Sequence, residues 1–469
     1  MHRFFLSALL LSALLHGCMV GPGFEEPAIE PPAVYRFDSL QADSLANLAW
    51  WELFQDTILH RLIDSAVVNN PTIRAAAGRI EEARAFAGFN KADLYPRIDI
   101  TAIAARGDAQ PGPINLGKET NAIGFAPTLN WELDFWGKFR RANRAAQQQL
   151  LASQYAQRAV LIDLIAEVAA TYFQLIGFEA QLQIARQTYE TRRAATELIQ
   201  ARFDRGIAAE IDLNQSQIQE AIALSAIPLL ERQAAVTENT LSILLGQTPR
   251  EQPFDSLATQ VLPPDIPPGL PSELLLRRPD LQEFYYQLAA QHQQIGIAEA
   301  QRLPSISLTG LFGLASNELS SLFSGSGVVW NAGVNLFGPL FNFGKNLRRV
   351  EIEQARYEQF LAEYEQRVLV AFKEVEDALI EIRTYRDELS AREFQFRAAD
   401  NAARLSNARY FGGQTSYLEV LESERQQFNA ALDAAGALTD QLIAYVRLYK
   451  ALGGGWISET ERAAETGNN

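Results

Sequence analysis

The chain carries one pattern twice, about 207 residues apart, and this duplication limits its possible folds more than any other feature. Asn70-Pro71-Thr72-Ile73 corresponds to Arg278-Pro279-Asp280-Leu281, and Leu94-Tyr95-Pro96 to Arg302-Leu303-Pro304, with both prolines offset by 208. Trp136-Gly137-Lys138 matches Phe343-Gly344-Lys345, Ala201-Arg202-Phe203 matches Ala408-Arg409-Tyr410, and Leu245-Gly246 matches Leu452-Gly453, all offset by 207. One indel therefore separates two copies, 57–262 and 272–455, joined by a Pro-rich linker at 263–271 and followed by a tail at 456–469. The 469 residues could hold about three ordinary domains. The repeat makes them two copies of one unit.

Each copy holds two segments of period two, which places apolar and polar side chains on opposite faces of a strand. Strands are expected at about 97–106, 122–133, 305–314 and 328–337. In the second of these, Ile123, Phe125, Pro127, Leu129, Trp131 and Leu133 alternate with Gly124, Ala126, Thr128, Asn130 and Glu132. Each segment matches the roughly 9–11 residues of a tilted membrane strand, and the intervening 107–121 and 315–327 are rich in loop residues. Four strands cannot close a barrel, and open edges leave unpaired backbone groups in hydrocarbon. If the strands span a membrane, the protein is an oligomer. A four-stranded sheet resting one face on a soluble core gives the same alternation, so that reading stays open; Trp131 and Trp330 on the apolar faces favour spanning.

Helices are expected at about 138–203, 212–245, 345–410 and 416–452. A proline-free run of about 65 residues would extend about 100 Å and needs a lateral partner. Leu161, Ile165, Val168, Tyr172, Leu175, Glu179 and Leu182 step at coiled-coil spacing. The same positions of the second copy are Val368, Phe372, Val375, Leu379, Ile382, Arg386 and Leu389. Glu179 and Arg386 either pair across this seam or sit at a solvated edge. The return helix is half as long and contains Pro228, which should bend it. The segment from Ile73 to Leu94 could stack on its end and supply the missing length. Both a water-bordering tunnel and a solid bundle fit these patterns.

The first 17 residues pair a basic start with a short apolar run, the form of a secretory signal. The run from Phe4 to Leu15 is too short to span a bilayer, so no transmembrane helix is expected. Leu15-His16-Gly17-Cys18 has the form of a bacterial lipobox, with His16 where a small residue is usual; a fortuitous cysteine is the alternative. Acylation at Cys18 would leave no free thiol and no disulfide within the chain. Residues 18–56, Pro-rich at their start, read as an extended tether.

The formal net charge is −15, from 41 Lys+Arg against 56 Asp+Glu. Removing the leader takes away Arg3 alone and gives −16. Such a balance repels phosphate backbones, so no nucleic-acid partner is expected. Mean hydropathy just below zero does not exclude a β-barrel, whose alternation averages out. After maturation only His60 and His292 remain of four histidines, without companions at ligand spacing. No metal, other cofactor or catalytic residue is expected beyond covalent lipid on Cys18.

The lipobox followed by Gly21-Pro22 and Pro27, the duplication with Arg278-Pro279-Asp280-Leu281, the turns Arg202-Phe203-x-x-Gly206 and Arg409-Tyr410-x-x-Gly413, and Leu418-Glu419-Val420-Leu421 carry a resemblance. Together they resemble the TolC-like outer-membrane efflux proteins, lipoprotein branch (OprM/NodT-like), over nearly the whole mature chain. The resemblance implies a mainly α fold with a membrane β-barrel. In it, a homotrimer gives four transmembrane strands per chain to a twelve-stranded barrel, and long coiled helices continue it as a periplasmic tunnel. It further implies a passive, lipid-anchored conduit in the outer membrane, without enzymatic activity. The conduit would be joined through a periplasmic adaptor (membrane fusion) protein to an inner-membrane transporter, of the resistance-nodulation-division type. Alternatives are a type I secretion channel for proteins and a structural envelope lipoprotein; a periplasmic hydrolase lacks a locatable site.

The turns at Gly206 and Gly413 end the longest helices, which makes them the expected gate. Asp212 and Glu419 each lie six residues beyond, and Glu422 lies a turn later. Three-fold symmetry would collect these acids near one pore end, where mutual repulsion raises carboxyl pKa values. The resemblance places Asp212, Leu418, Glu419 and Glu422 at the periplasmic gate. Arg205, Gly206, Gly412 and Gly413 are the expected adaptor contacts. Acids in a first helical turn also favour its dipole, and Ser416-Tyr417-Leu418-Glu419 fits a capping box, so helix capping is the competing role.

Overall fold

A computed structural model describes residues 18–37, 54–107, 120–263, 271–323 and 327–454. The expected leader, most of the linker, the tail and part of the tether lie outside the described residues. The duplication appears directly in element lengths. Helix α1 (Thr57–Asn69) precedes α2 (Pro71–Ala92), strands β1 (Arg97–Gly107) and β2 (Thr120–Leu133), then α3 (Lys138–Asp204) and α4 (Glu210–Leu244). The second copy follows with α5 (Pro271–Arg277), α6 (Pro279–Ala300), β3 (Ser305–Ser316), β4 (Val328–Phe337), α7 (Lys345–Phe411) and α8 (Tyr417–Ala451). Helices α3 and α7 both contain 67 residues, and α4 and α8 both contain 35.

The chain divides into two compact units. The first comprises 1–29, 78–154 and 283–365 and contains the antiparallel sheet, in the order β1-β2-β3-β4. Arg97 pairs with Asn130 in the first hairpin, and Ser305 with Phe337 in the second, so the hairpin registers coincide under the repeat offsets. Between them, Asn130 faces Thr309 and Trp131 faces Leu308. These registers collect Ile98, Phe125, Leu308, Phe312, Trp330 and Val334 on one face. Asp99, Thr128, Asn130, Thr309, Asn331 and Asn335 lie on the other. Most of the apolar face is open, with Trp330 75% exposed. A sheet resting on a soluble core would cover that face, so the soluble alternative fails. Trp131 is half-buried and donates its indole N–H to the Leu94 carbonyl at 3.1 Å. Packing between helices in this unit centres on Ile295, Ala298 and Val350 against Tyr357.

The second unit, 30–77, 155–282 and 366–469, holds the main helical core. Tyr172, Phe173, Leu175 and Ile176 of α3 are fully buried, as are Leu59, Ile63, Leu241, Leu274 and Tyr445. One window of α3 is apolar and long enough to pass for a membrane span, which the expectation drawn from the leader overlooked. More than half of it is buried within the protein, where it serves as core. Of the expected seam, Ile165, Val168, Tyr172, Leu175 and Leu182 are buried, as are Val368, Val375, Ile382 and Leu389. The charged position follows the solvated-edge reading for Arg386, which is exposed and donates to the Tyr445 hydroxyl at 3.1 Å. Glu179 is half-buried; burial raises its carboxyl pKa against the opposing effect of Arg186. Helix α4 runs through Pro228 as one element. At its end, the Asn70 amide donates to the Leu244 carbonyl at 2.7 Å, so the start of α2 abuts the end of α4.

Candidate functional site

Both long helices close on the same backbone device. After α3, Gly206 N–H donates to Phe203 O and Ile207 N–H to Arg202 O, both at 2.8 Å. After α7, Gly413 donates to Tyr410 O and Gln414 to Arg409 O, both at 2.9 Å. These paired 5→2 and 6→1 bonds are Schellman motifs, and they require a left-handed residue at the turn. Gly206 and Gly413 supply it, each with φ of 69° and open space around the α-carbon. Replacing either with alanine is therefore expected to cost only the backbone term, about 1 kcal/mol. Limited proteolysis should show faster cleavage at 203–208 or 410–415. Arg205, Gly206, Gly412 and Gly413 are all exposed.

Under the turns lies a cluster of Ile199, Leu213, Tyr417, Val420 and Leu421, with Ala208 and Tyr410 against it. It holds the ends of α3 and α7 to the starts of α4 and α8. The acids around it are not equivalent. Glu419 accepts from Arg409 at 2.7 Å and from the Thr415 hydroxyl. Ser416 makes no side-chain cap, so the expected capping box does not form. Glu419 instead turns its carboxylate to the Arg409 guanidinium of the preceding helix, a bond in which both partners are charged. Glu422 accepts two bonds from Arg425, at 2.6 and 2.9 Å, and one from Gln426 at 2.7 Å. Within one chain these partners hold its carboxyl down at about 2.

Asp212 occupies the repeat position of Glu419, yet its circumstances differ. Arg202, the counterpart of Arg409, donates to the Tyr410 hydroxyl at 3.0 Å and lies over that ring. Among the described residues no ion pair involves Asp212, whose shorter side chain starts in the first turn of α4. Leu418 is 59% exposed. A turn or two deeper, Arg192 is buried, donating to the carbonyls of Gln219 (2.8 Å) and Glu424 (3.4 Å) and lying over Phe428. Burial lowers its pKa while Glu424 opposes that shift. Nothing in its local sequence announces this role, because both acceptors are backbone.

Cys18 is exposed at the start of the described chain. Several of the residues after it are held by hydrogen bonds and ring contacts. Val20 N–H donates to Trp136 O at 3.1 Å, and Arg141 donates to Val20 O (2.7 Å) and Pro22 O (3.1 Å). A Cβ on Gly296 would fall 2.2 Å from Arg141 Nε, so only glycine lets this arginine cross. Phe24 sits edge-on to Tyr285 and His292. His292 is buried, and burial together with the Arg141 charge lowers its pKa. In the second unit, Arg36 N–H donates to Glu376 at 2.6 Å and Tyr35 is buried. Gly296→Ala is expected to displace Arg141 and expose residues 18–24 to protease, which peptide mapping would detect; this backbone clamp carried no periodic signal. Among the described residues no group of three or more His, Cys, Asp or Glu is placed to hold a metal.

A family model described as outer membrane efflux protein matches 62–247 and 270–454, one match per copy. The cation efflux system protein CusC of Escherichia coli O6:H1 is 33% identical over 451 residues, covering 94% of this chain and 96% of that protein. The probable outer membrane lipoprotein SilC of Salmonella typhimurium is 34% identical over 457 residues, covering 95% and 97%. The structure of the outer-membrane channel OprN superposes with a TM-score of 0.86 at 29% identity, covering 94% of this chain and all of that one. The chain belongs to the outer membrane efflux protein family.

Proposed function

We propose that three copies of this chain close a twelve-stranded barrel in the outer membrane and that their long helices continue it as a passive periplasmic conduit for efflux. The observation that carries this reading is a four-stranded sheet with an open apolar face and two unpaired edge strands, β1 and β4. Hydrocarbon accepts the face, while only a closed ring satisfies the edges. The channel performs no chemistry. Energy comes from an inner-membrane transporter of the resistance-nodulation-division type, coupled through a periplasmic adaptor that meets the exposed turns at Arg205-Gly206 and Gly412-Gly413. Acylation of Cys18 anchors the chain to outer-membrane lipid, with the hydrogen-bonded segment behind it fixing where the anchor emerges. Protease treatment of outer membranes tests the barrel: residues 97–107, 120–133, 305–316 and 328–337 are expected to be protected, and cleavage within them would overturn it.

The gate is formed by Asp212, Leu418, Glu419 and Glu422 around the three-fold axis. Glu419 and Glu422 already hold arginines, so Asp212 contributes the larger uncompensated field. Neutralising Asp212 and Glu422 together is expected to reduce cation preference in single-channel recordings. Asp212→Asn alone should account for most of the change and Glu422→Gln for little. Unchanged selectivity in the double variant would leave those acids a helix-end role only.

A further inference from the structure

His292 of α6 is a buried base held under the segment that follows Cys18. It is 4% exposed, and its Nδ1 is buried without a hydrogen-bond partner among the described residues. Phe24 closes over it with ring centroids 5.4 Å apart, and Tyr357 of α7 meets it at 5.5 Å. Phe24 also lies edge-on to Tyr285 at 5.7 Å, so one side chain of the segment covers two turns of α6. On either side of Phe24 the segment is tied down by polar contacts. Arg141 holds the carbonyls of Val20 and Pro22, and the Tyr285 hydroxyl donates to Glu26 at 3.2 Å. The imidazole thus lies near the middle of the contact that docks residues 20–26.

Protonation would add a second positive charge to this contact beside Arg141. Charged groups come from every packed element: Arg141 and Arg144 on α3, Glu25 and Glu26 on the docked segment, Glu299 on α6, and Glu353, Arg356 and Glu358 on α7. The acids are engaged elsewhere. Glu353 pairs with Arg356 at 2.8 Å and accepts from Gln291 at 2.8 Å, while Glu299 acts on Arg141. Glu26 takes the Tyr285 hydroxyl, and the charges of Glu25 and Glu358 fall on that of Tyr357. Among the described residues none of them forms an ion pair with His292. Burial and the Arg141 charge therefore both oppose a charged imidazole. Once Phe24 lifts away, water reaches the ring and most of that penalty ends.

We propose that residues 20–26 are an acid-released strap, docked on α3, α6 and α7 while His292 is neutral and detached when it takes a proton. The segment leads to Cys18, so release lengthens the free tether behind the proposed anchor. A docked pKa below the ordinary value of about 6.5 means docking at full strength above that pH, weakening as pH falls toward the docked value. Within this window the opening equilibrium rises up to about tenfold per pH unit. Carboxyl groups ordinarily titrate near 4, below the window.

Hydrogen exchange of the full-length protein in detergent, corrected for the intrinsic pH dependence of exchange, tests the strap. Protection of the amides of residues 20–26 is expected to fall about tenfold between pH 7.5 and 5.5, while α3 keeps its protection. His292→Gln and His292→Phe lack the titrating group and are expected to abolish the fall. Exchange at the ring Cε1 of His292 reads its pKa directly. That value is expected below about 6.5 in the wild type and higher in Phe24→Ala, which uncovers the ring. Unchanged protection in the wild type, or an equal fall in both histidine variants, overturns the strap. If a variant is already unprotected at pH 7.5, the ring measurement decides, and a wild-type pKa at or above about 6.5 overturns it.

Discussion

Replacing Arg278 with alanine is expected to destabilise the fold by about 3 kcal/mol at neutral pH, because breaking a buried ion pair strands its partners. The guanidinium is almost fully buried and makes two bonds to Asp280, at 2.7 and 3.0 Å, and one to Glu374 at 2.6 Å. It also donates to the Ala451 carbonyl at 3.2 Å, joining the start of α6 to the end of α8. Both carboxylates keep partial access to water, which moderates the penalty. Burial alone would raise the Asp280 pKa, but the bonds and charge of Arg278 overcome it and hold it below the usual carboxylate range. A depressed folded pKa means stabilisation that is present above the unfolded value and lost as pH falls through the folded one. The thermal stability of the wild-type protein should therefore fall on acidification below about pH 4, with much less of that slope in Arg278→Ala. The same place in the first copy is held by a neutral amide, Asn70, on the Leu244 carbonyl. Asn70→Ala is expected to cost only about 1 kcal/mol, the usual net worth of a neutral bond or cap.

Asp56→Ala is expected to cost a comparable amount, about 3 kcal/mol, because it removes a helix cap and leaves a buried hydroxyl short of its acceptor. Its Oδ1 accepts from Ile58 N–H at 2.7 Å and Leu59 N–H at 3.1 Å, which caps α1. Its Oδ2 accepts from the Tyr172 hydroxyl at 2.5 Å and from Gln260 at 2.8 Å. That hydroxyl in turn accepts from Asp255 N–H at 3.2 Å, so one carboxylate ties three distant segments to the core. Burial raises the Asp56 pKa, but these bonds outweigh it and the net shift is downward. Stabilisation is again lost on the acid side. Asp56→Asn keeps an acceptor for the cap and should cost less than Asp56→Ala, with no acid-side loss from this position. Equal losses in the two variants would assign the effect to packing alone.

What was legible in the sequence follows from what leaves a periodic mark. Alternation in residues such as Phe125, Leu129 and Trp131 revealed strands because one face meets a different solvent from the other. The 67-residue helices were legible from the absence of proline and a seam running through Val168 and Leu175. The paired glycines 206 and 413 showed where those helices stop. The Arg141 clamp was not legible, since it grips carbonyls of Val20 and Pro22, and a Pro-rich stretch reads as linker whether or not something holds it. Asp56 and Tyr172 lie 116 positions apart, so neither predicts the other. At the turns, sequence located the acids but not their charge balance: Arg409 reaches Glu419, while its counterpart Arg202 turns to Tyr410 and leaves Asp212. That difference depends on one hydroxyl, which Phe203 lacks at the matching position of the first copy.

The proposed membrane conduit closes only as a trimer. Purified full-length protein, extracted in detergent, should have the mass of three chains and, inserted into a planar lipid bilayer, should give discrete cation-preferring conductance steps. A monomer that inserts no conductance would contradict the account.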